Sequence, residues 1–372
     1  MRVGIVTFHN ALSYGAMLQA YALQESIREL GHEAIIIDYI PNGIRWPSWW
    51  DRLLTKNLSG YVAKSNYYKF SKVFVGFAKK HLNLSGRFVT ERDLKNANAN
   101  VDAFVCGSDQ IWSPRNFATT GEINQAFFLA FADATKRLVA YAPSFGRTPN
   151  DSFLEAVKPY LDRMESISVR EESAARLLTD KLERPVKCVC DPTVLLGRKG
   201  FDSMLSDCDK SISGDYVFCF QLSYCLPRDS QILRRICASI PHLKDVKIAS
   251  RPLSYKGIGQ NVIPTPDDWI RLIRDSRFVV TNSFHGTVFS LLYHRPFVSL
   301  GWERKEKNIR MKELLSHVGL VGRLVDTDAI DDGRIEEFTK GNIDWAAVDK
   351  KLMEWRELSI AYLARALSEE CK

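Results

Sequence analysis

Arg277-Phe278-Val279-Val280-Thr281-Asn282-Ser283-Phe284-His285-Gly286-Thr287-Val288-Phe289-Ser290-Leu291-Leu292 changes character halfway along. Phe278 to Thr281 is an apolar, β-branched run of strand length. Asn282 to Gly286 is a polar corner, and an apolar run of helical length follows. The stretch therefore reads as buried strand, turn and helix, the unit from which helix-covered parallel sheets are built. At such a turn the first amide groups of the helix favour an anion, and His285 stands among them. These residue types allow two readings. One is proton transfer beside a phosphorylated or carboxylated substrate; in the other, Ser283 caps the helix and His285 fills a loop.

The same alternation extends in both directions. Residues 2–8 read as a first strand, Gly15 opens a helix through Leu18, Leu23 and Ile27, Gly31 stops it, and Ala34 to Tyr39 returns as a strand. Val101 to Cys106, Leu138 to Ala142, Ser166 to Arg170 and Lys187 to Cys190 continue the first half. Asp215 to Gln221, Val246 to Ala249, Phe278 to Thr281 and Phe297 to Leu300 supply the second. A chain of 372 residues exceeds the usual size of one hydrophobic core. Two α/β domains are expected, at 1–196 and 214–340, with glycines and serines between Leu196 and Ser213 as the boundary. An amphipathic terminal helix is expected at 345–371. In an open parallel sheet, ligands bind at the carboxyl ends of the strands. Gly, Ser, Asp, Tyr and Arg residues gather there in this chain.

The 45% hydrophobic and 26% charged content is that of a globular protein. Met1 to Phe8 reads as a strand rather than a secretory signal, and no run is long enough to span a bilayer. The eight cysteines are scattered without a C-x-x-C pair and read as reduced core residues, so a cytoplasmic protein without a bound metal is expected. The net charge of +7 resides in residues 44–82, where eight basic residues face one acid, Asp51. Trp46, Trp49, Trp50, Tyr61, Tyr67, Tyr68 and Phe70 are interleaved with them. Basic residues mixed with Trp and Tyr suit an anionic membrane surface at the inner leaflet, which is the partner expected here in preference to nucleic acid. The plainer reading is a helical excursion packed on its own domain with its lysines solvated.

Several nucleotide motifs are absent. The loop Thr7 to Gly15 lacks G-x-G-x-x-G spacing, although Asp38 after the next strand mimics a ribose-binding acid, and there is no P-loop, nucleophile elbow or H-E-x-x-H. Six short phrases nevertheless stand in order: Asn10…Tyr14-Gly15-Ala16, Gly107-Ser108-Asp109-Gln110-Ile111-Trp112, Ala142-Pro143-Ser144-Phe145-Gly146, Ser168-Val169-Arg170-Glu171-Glu172-Ser173, Cys190-Asp191-Pro192-Thr193 and Ser283-Phe284-His285-Gly286.

Together these phrases resemble the polysaccharide pyruvyl transferase family. The resemblance implies a GT-B-like fold, two Rossmann-like domains with parallel sheets facing across a cleft. It also implies transfer of the pyruvyl unit of phosphoenolpyruvate, a substrate rather than a cofactor, to a sugar as a ketal. Guanidinium groups and helix starts suit a donor carrying both carboxylate and phosphate. By the resemblance His285 is the acid–base residue. Arg170, Arg310, Lys307, Ser283 and Gly286 bind phosphoenolpyruvate, with Lys307 the reserve choice to Arg310 as the donor-site cation. Asn10, Tyr14, Asp109 and Ser144 face the acceptor, expected to be a lipid-linked mono- or oligosaccharide with terminal galactose. Two rivals are a glycosyltransferase using a nucleotide sugar and a non-catalytic, membrane-associated glycan-binding homologue.

Overall fold

The computed structural model describes residues 1–41, 58–115, 117–206, 211–212, 214–222, 227–249, 258–327 and 330–368. The chain divides into two compact units, Met1–Leu196 with Trp355–Lys372, and Gly197–Glu354.

In the first unit, β1 (Arg2–Val6), α1 (Tyr14–Glu29) and β2 (Glu33–Tyr39) form a βαβ element, and α2 (Leu58–His81) leads to β3 (Leu84–Phe88). The chain then passes through β4 (Ala103–Cys106), β5 (Arg137–Ala140), β6 (Ser166–Val169), α3 (Glu172–Leu182) and β7 (Lys187–Cys188). The seven strands are all parallel, in the order β3-β2-β1-β4-β5-β6-β7. Strand order therefore reverses between β1 and β4, and the crevice outside their carboxyl ends is where an open sheet of this kind takes a ligand. Strands such as Ala103–Cys106 are buried on both faces, which is why they read as unbroken apolar runs. β3 was not anticipated, because Leu84-Ser85-Gly86-Arg87-Phe88 is a half-exposed edge strand with a glycine at its centre.

Helix α4 (Pro192–Leu205) carries the chain from one unit to the next. It is broken at Gly197, whose backbone (φ 71°, ψ 177°) is not helical. The expected irregular boundary is thus a kinked helix over most of its length. In the second unit, β8 (Tyr216–Phe220), α5 (Pro227–Ser239), β9 (Asp245–Ile248), β10 (Gln260–Asn261), α6 (Pro266–Arg274), β11 (Phe278–Thr281), α7 (Phe284–Leu292), β12 (Phe297–Leu300), α8 (Ile309–His317) and β13 (Leu324–Val325) alternate. The six strands are again parallel, ordered β10-β9-β8-β11-β12-β13, so this sheet reverses between β8 and β11. The terminal helix α9 (Trp345–Leu367) belongs to both units, and its second half is tied to the first, where Tyr362 Oη donates to Ala140 O at 3.1 Å.

Of the basic aromatic segment, residues 42–57 lie outside the described residues, among them Trp46, Trp49 and Trp50. Where α2 is described, Phe74 and Phe77 are buried, and Tyr14 of α1 meets Phe70 and Phe74 at 6.0 and 4.9 Å between ring centroids. Lys69, Lys72, Lys79 and Lys80 are exposed. This part of the segment turns its aromatic face to its own unit and its lysines outward.

Candidate functional site

The turn that follows β11 is built by hydroxyl groups. Thr281 Oγ1 donates to Phe220 O of the neighbouring strand at 2.7 Å and accepts the Ser283 N–H at 3.0 Å, which bends the chain out of the sheet. Ser283 has extended backbone and is the N-cap of α7, its Oγ accepting the Gly286 N–H at 3.3 Å. Gly286 is required by close approach, since a Cβ there would lie 2.5 Å from Thr281 Oγ1. Thr287 Oγ1 donates to Ser283 O at 3.1 Å and meets Ser299 Oγ of β12 at 2.7 Å. The capping reading of Ser283 therefore holds, and the cap is also what sets His285 in the first turn of a nine-residue helix, buried, edge-on to Phe284 at 5.3 Å.

The charged run after β12 returns to this turn. Arg310, in the first turn of α8, lies 6.0 Å from the Phe284 ring, and Lys307 Nζ lies 4.3 Å from the Trp302 ring. Trp302 Nε1 in turn donates to Asn282 O at 3.1 Å. Ser283, His285, Gly286, Lys307 and Arg310 are thus gathered at the carboxyl edge of the second sheet. Thr281 and Trp302 were not singled out in the sequence. The hydroxyl of Thr281 sits in an otherwise apolar strand, and that was the available signal.

The carboxyl edge of the first sheet is a charge network. The Arg170 guanidinium is buried, its Nε donating to Glu171 at 3.1 Å and its Nη1 to Asp191 at 2.7 Å. Asp191 also accepts from the backbone and hydroxyl of Thr193 at 3.0 and 2.7 Å and from Ser108 Oγ at 3.4 Å. Burial works against the Arg170 charge, but Glu171, Asp191 and Asp109 outweigh it and hold its pKa above the ordinary arginine range. Next to this network, His9 places Nδ1 3.1 Å from Thr7 O and Nε2 2.9 Å from Asp38, and Asp38 accepts from Arg87 Nε at 3.0 Å. Burial would raise the Asp38 pKa, yet the hydrogen bonds and charges of His9 and Arg87 prevail and lower it. The acid that mimics a ribose ligand is spent inside the unit.

A cavity of about 490 Å³ opens where the first sheet reverses, lined among others by Phe8, Asn10, Asp109, Asn124 and Phe127. Asp109 adopts left-handed backbone (φ 64°), an uncommon conformation outside glycine and one that recurs at ligand sites. Asn10 and Asp109 thus reach a cavity, whereas Tyr14 is buried against α2 and Ser144 is fully buried, its Oγ accepting the Gly146 N–H at 2.9 Å. Aromatic walls with carboxylate and amide groups suit a sugar.

A family model described as polysaccharide pyruvyl transferase matches residues 14–304. No curated protein matches the chain. Solved structures similar to it include the calicheamicin glycosyltransferase CalG4 (11% identity, 100% of this chain and 99% of that one, TM-score 0.47). Glycosyltransferase VinC in complex with DTDP is another (13%, 98% and 99%, TM-score 0.46), as is the E. coli heptosyltransferase WaaC with ADP (12%, 93% and 99%, TM-score 0.45).

Proposed function

Given that the chain belongs to the polysaccharide pyruvyl transferase family, we propose that it transfers the pyruvyl group of phosphoenolpyruvate to a sugar of a surface-polysaccharide precursor, forming a ketal and releasing phosphate. The observation that carries this reading is His285 in the first turn of a capped helix, with Arg310 and Lys307 held beside it on Phe284 and Trp302. The helix start and the two cations favour a donor bearing phosphate and carboxylate. His285 gives its proton to the methylene carbon, leaving the central carbon electrophilic. A sugar hydroxyl adds there, and the carbon–oxygen bond to phosphate breaks. A second hydroxyl then closes the ketal. Of the two protons the hydroxyls release, one restores His285 and the other leaves with phosphate.

Arg170 enters this proposal as a positioning residue, because its guanidinium is held by Glu171 and Asp191. Asn10 and Asp109 in the first unit's cavity are proposed to read acceptor hydroxyls. A lipid-linked acceptor with terminal galactose, and an anionic membrane surface met through residues 44–82, belong to the same proposal. No helix among the described residues is long and apolar enough to cross a membrane. Flotation with anionic vesicles tests that part: Trp49→Ala/Trp50→Ala should lose binding, and unchanged binding removes the membrane from the reading.

The central test is phosphate release from phosphoenolpyruvate with a panel of lipid-linked sugars, read together with a pyruvate-dependent mass gain. His285→Ala should lower turnover by about 10²–10⁴-fold with the fold intact. Near-normal turnover would remove His285 from the chemistry. Stabilisation of the protein by a nucleoside diphosphate in place of phosphoenolpyruvate would favour a nucleotide-sugar enzyme.

A further inference from the structure

Gln221 is the first residue beyond β8 and is 1% exposed, yet among the described residues neither its amide oxygen nor its amide nitrogen meets a hydrogen-bond partner. Burying an amide unpaired is costly, and native interiors keep few such groups without a reason. The position of this one supplies a reason. Phe220 pairs in register with Thr281, so the next step sets Gln221 beside Asn282, and the Leu222 N–H donates to Asn282 Oδ1 at 2.8 Å. Phe218 and Phe220 meet Trp269 at 6.3 and 5.2 Å, whereas Val217, Cys219 and Val280 share a different core cluster. Strand alternation therefore puts Gln221 and Asn282 on one face. From Asn282 the row continues through the Trp302 indole to Lys307. It lies at the reversal point between β8 and β11, one residue before the cap of α7.

We infer that Gln221 is a further ligand of the donor, its amide N–H₂ receiving the carboxylate of phosphoenolpyruvate while the start of α7 and Arg310 hold the phosphate. The inference rests on the donor reading above. The division follows charge: the doubly ionised phosphate goes to the helix dipole and a guanidinium, and the singly charged carboxylate needs a directed donor. The amide oxygen accepts from water carried in with the ligand.

The test titrates the full-length protein with phosphoenolpyruvate and, separately, with inorganic phosphate, reading each dissociation constant from the rise in Tm. Gln221→Met keeps length and shape without the amide, and Gln221→Glu keeps shape but adds a charge. Gln221→Met should keep or raise the unliganded Tm, weaken phosphoenolpyruvate binding about tenfold and leave phosphate binding unchanged. Gln221→Glu should bind phosphoenolpyruvate more weakly still, because two carboxylates would meet; it also decides the matter if the Met variant does not fold. Wild-type affinity in both variants would overturn the assignment, showing the amide to be completed by water alone. Equal loss of both anions would overturn the carboxylate placement. A wild-type protein that does not bind phosphoenolpyruvate would bring down the donor reading and this inference together, whereas failure of the variants alone leaves the donor reading standing.

Discussion

The carboxyl edges of the two sheets reverse strand order at corresponding points, yet they are built from different groups. At the first edge, titratable groups answer one another: Arg170 with Glu171 and Asp191, His9 with Asp38, Asp38 with Arg87. At the second, the turn is made of hydroxyls and amides, Thr281, Ser283, Asn282 and Gln221, and the nearby cations rest against the rings of Phe284 and Trp302. A buried network that closes on itself fixes loops. An edge organised by neutral donors at a helix start favours an anion in general. The first edge also opens on the cavity lined by Asn10 and Asp109, the proposed acceptor side.

Truncating one arginine at each edge is the most direct way to break this contrast. Arg170→Ala strands two buried carboxylates and should cost about 3–5 kcal/mol, visible as a large fall in Tm. Arg310→Ala removes a half-exposed side chain and should stay within about 1 kcal/mol in stability while weakening phosphoenolpyruvate binding about tenfold or more. Arg170→Lys refines the pair: a positioning role predicts lower stability with a near-normal KM for phosphoenolpyruvate. If Arg310→Ala unfolded the protein and Arg170→Lys raised only that KM, the roles of the edges would have to be exchanged.

Gly286→Ala probes the second edge without touching charge. The added Cβ would stand 2.5 Å from Thr281 Oγ1, in a turn held by hydrogen bonds through Thr281, Asn282 and Ser283, so relief requires the turn to move. A loss of about 1–3 kcal/mol is expected, with activity falling further than stability because His285 moves with the helix start. Thr281→Ser/Gly286→Ala, which removes the Thr281 methyl but keeps its hydroxyl, should recover little. Substantial recovery would place the clash at the methyl instead.

The strands of both sheets were legible because parallel strands buried on both faces are continuous apolar runs; Phe278–Thr281 and Phe297–Leu300 read to the residue. Of the two-residue outer strands, Lys187–Cys188 was read because it opens the run to Cys190, whereas Gln260–Asn261 and Leu324–Val325 carry no period and were missed. Site residues divided in the same way. His285 stood out as a titratable group at a strand-to-helix corner, but spacing along the chain cannot show which partner an arginine finds. Arg170 reads as a ligand from its phrase, and only the structure shows Asp191, 21 residues on, 2.7 Å from its guanidinium. Gln221 was invisible for the converse reason: an amide at the end of a strand becomes notable only when its burial and its missing partners are known.

The smallest expected effect tests whether the first edge is a closed network in acid as well. Asp38 is held below the usual carboxylate range: burial pushes its pKa up, but His9 and Arg87 outweigh this, so the folded chain binds this proton more weakly than the unfolded one. Its contribution to stability is therefore fully present above the unfolded value, about 3.9, and is withdrawn as pH falls through the lower folded value. Asp38→Asn keeps the shape and an acceptor for His9 but gives up the charge. The variant should be less stable than wild type by about 1 kcal/mol at neutral pH, and the gap should close on acidification, where the wild-type carboxyl is itself neutral. Urea midpoints across that range measure the gap. A gap that persisted below the folded pKa would mean that Asp38 acts through packing rather than charge, and the first edge would then owe less to its ion pairs than the contrast with the second requires.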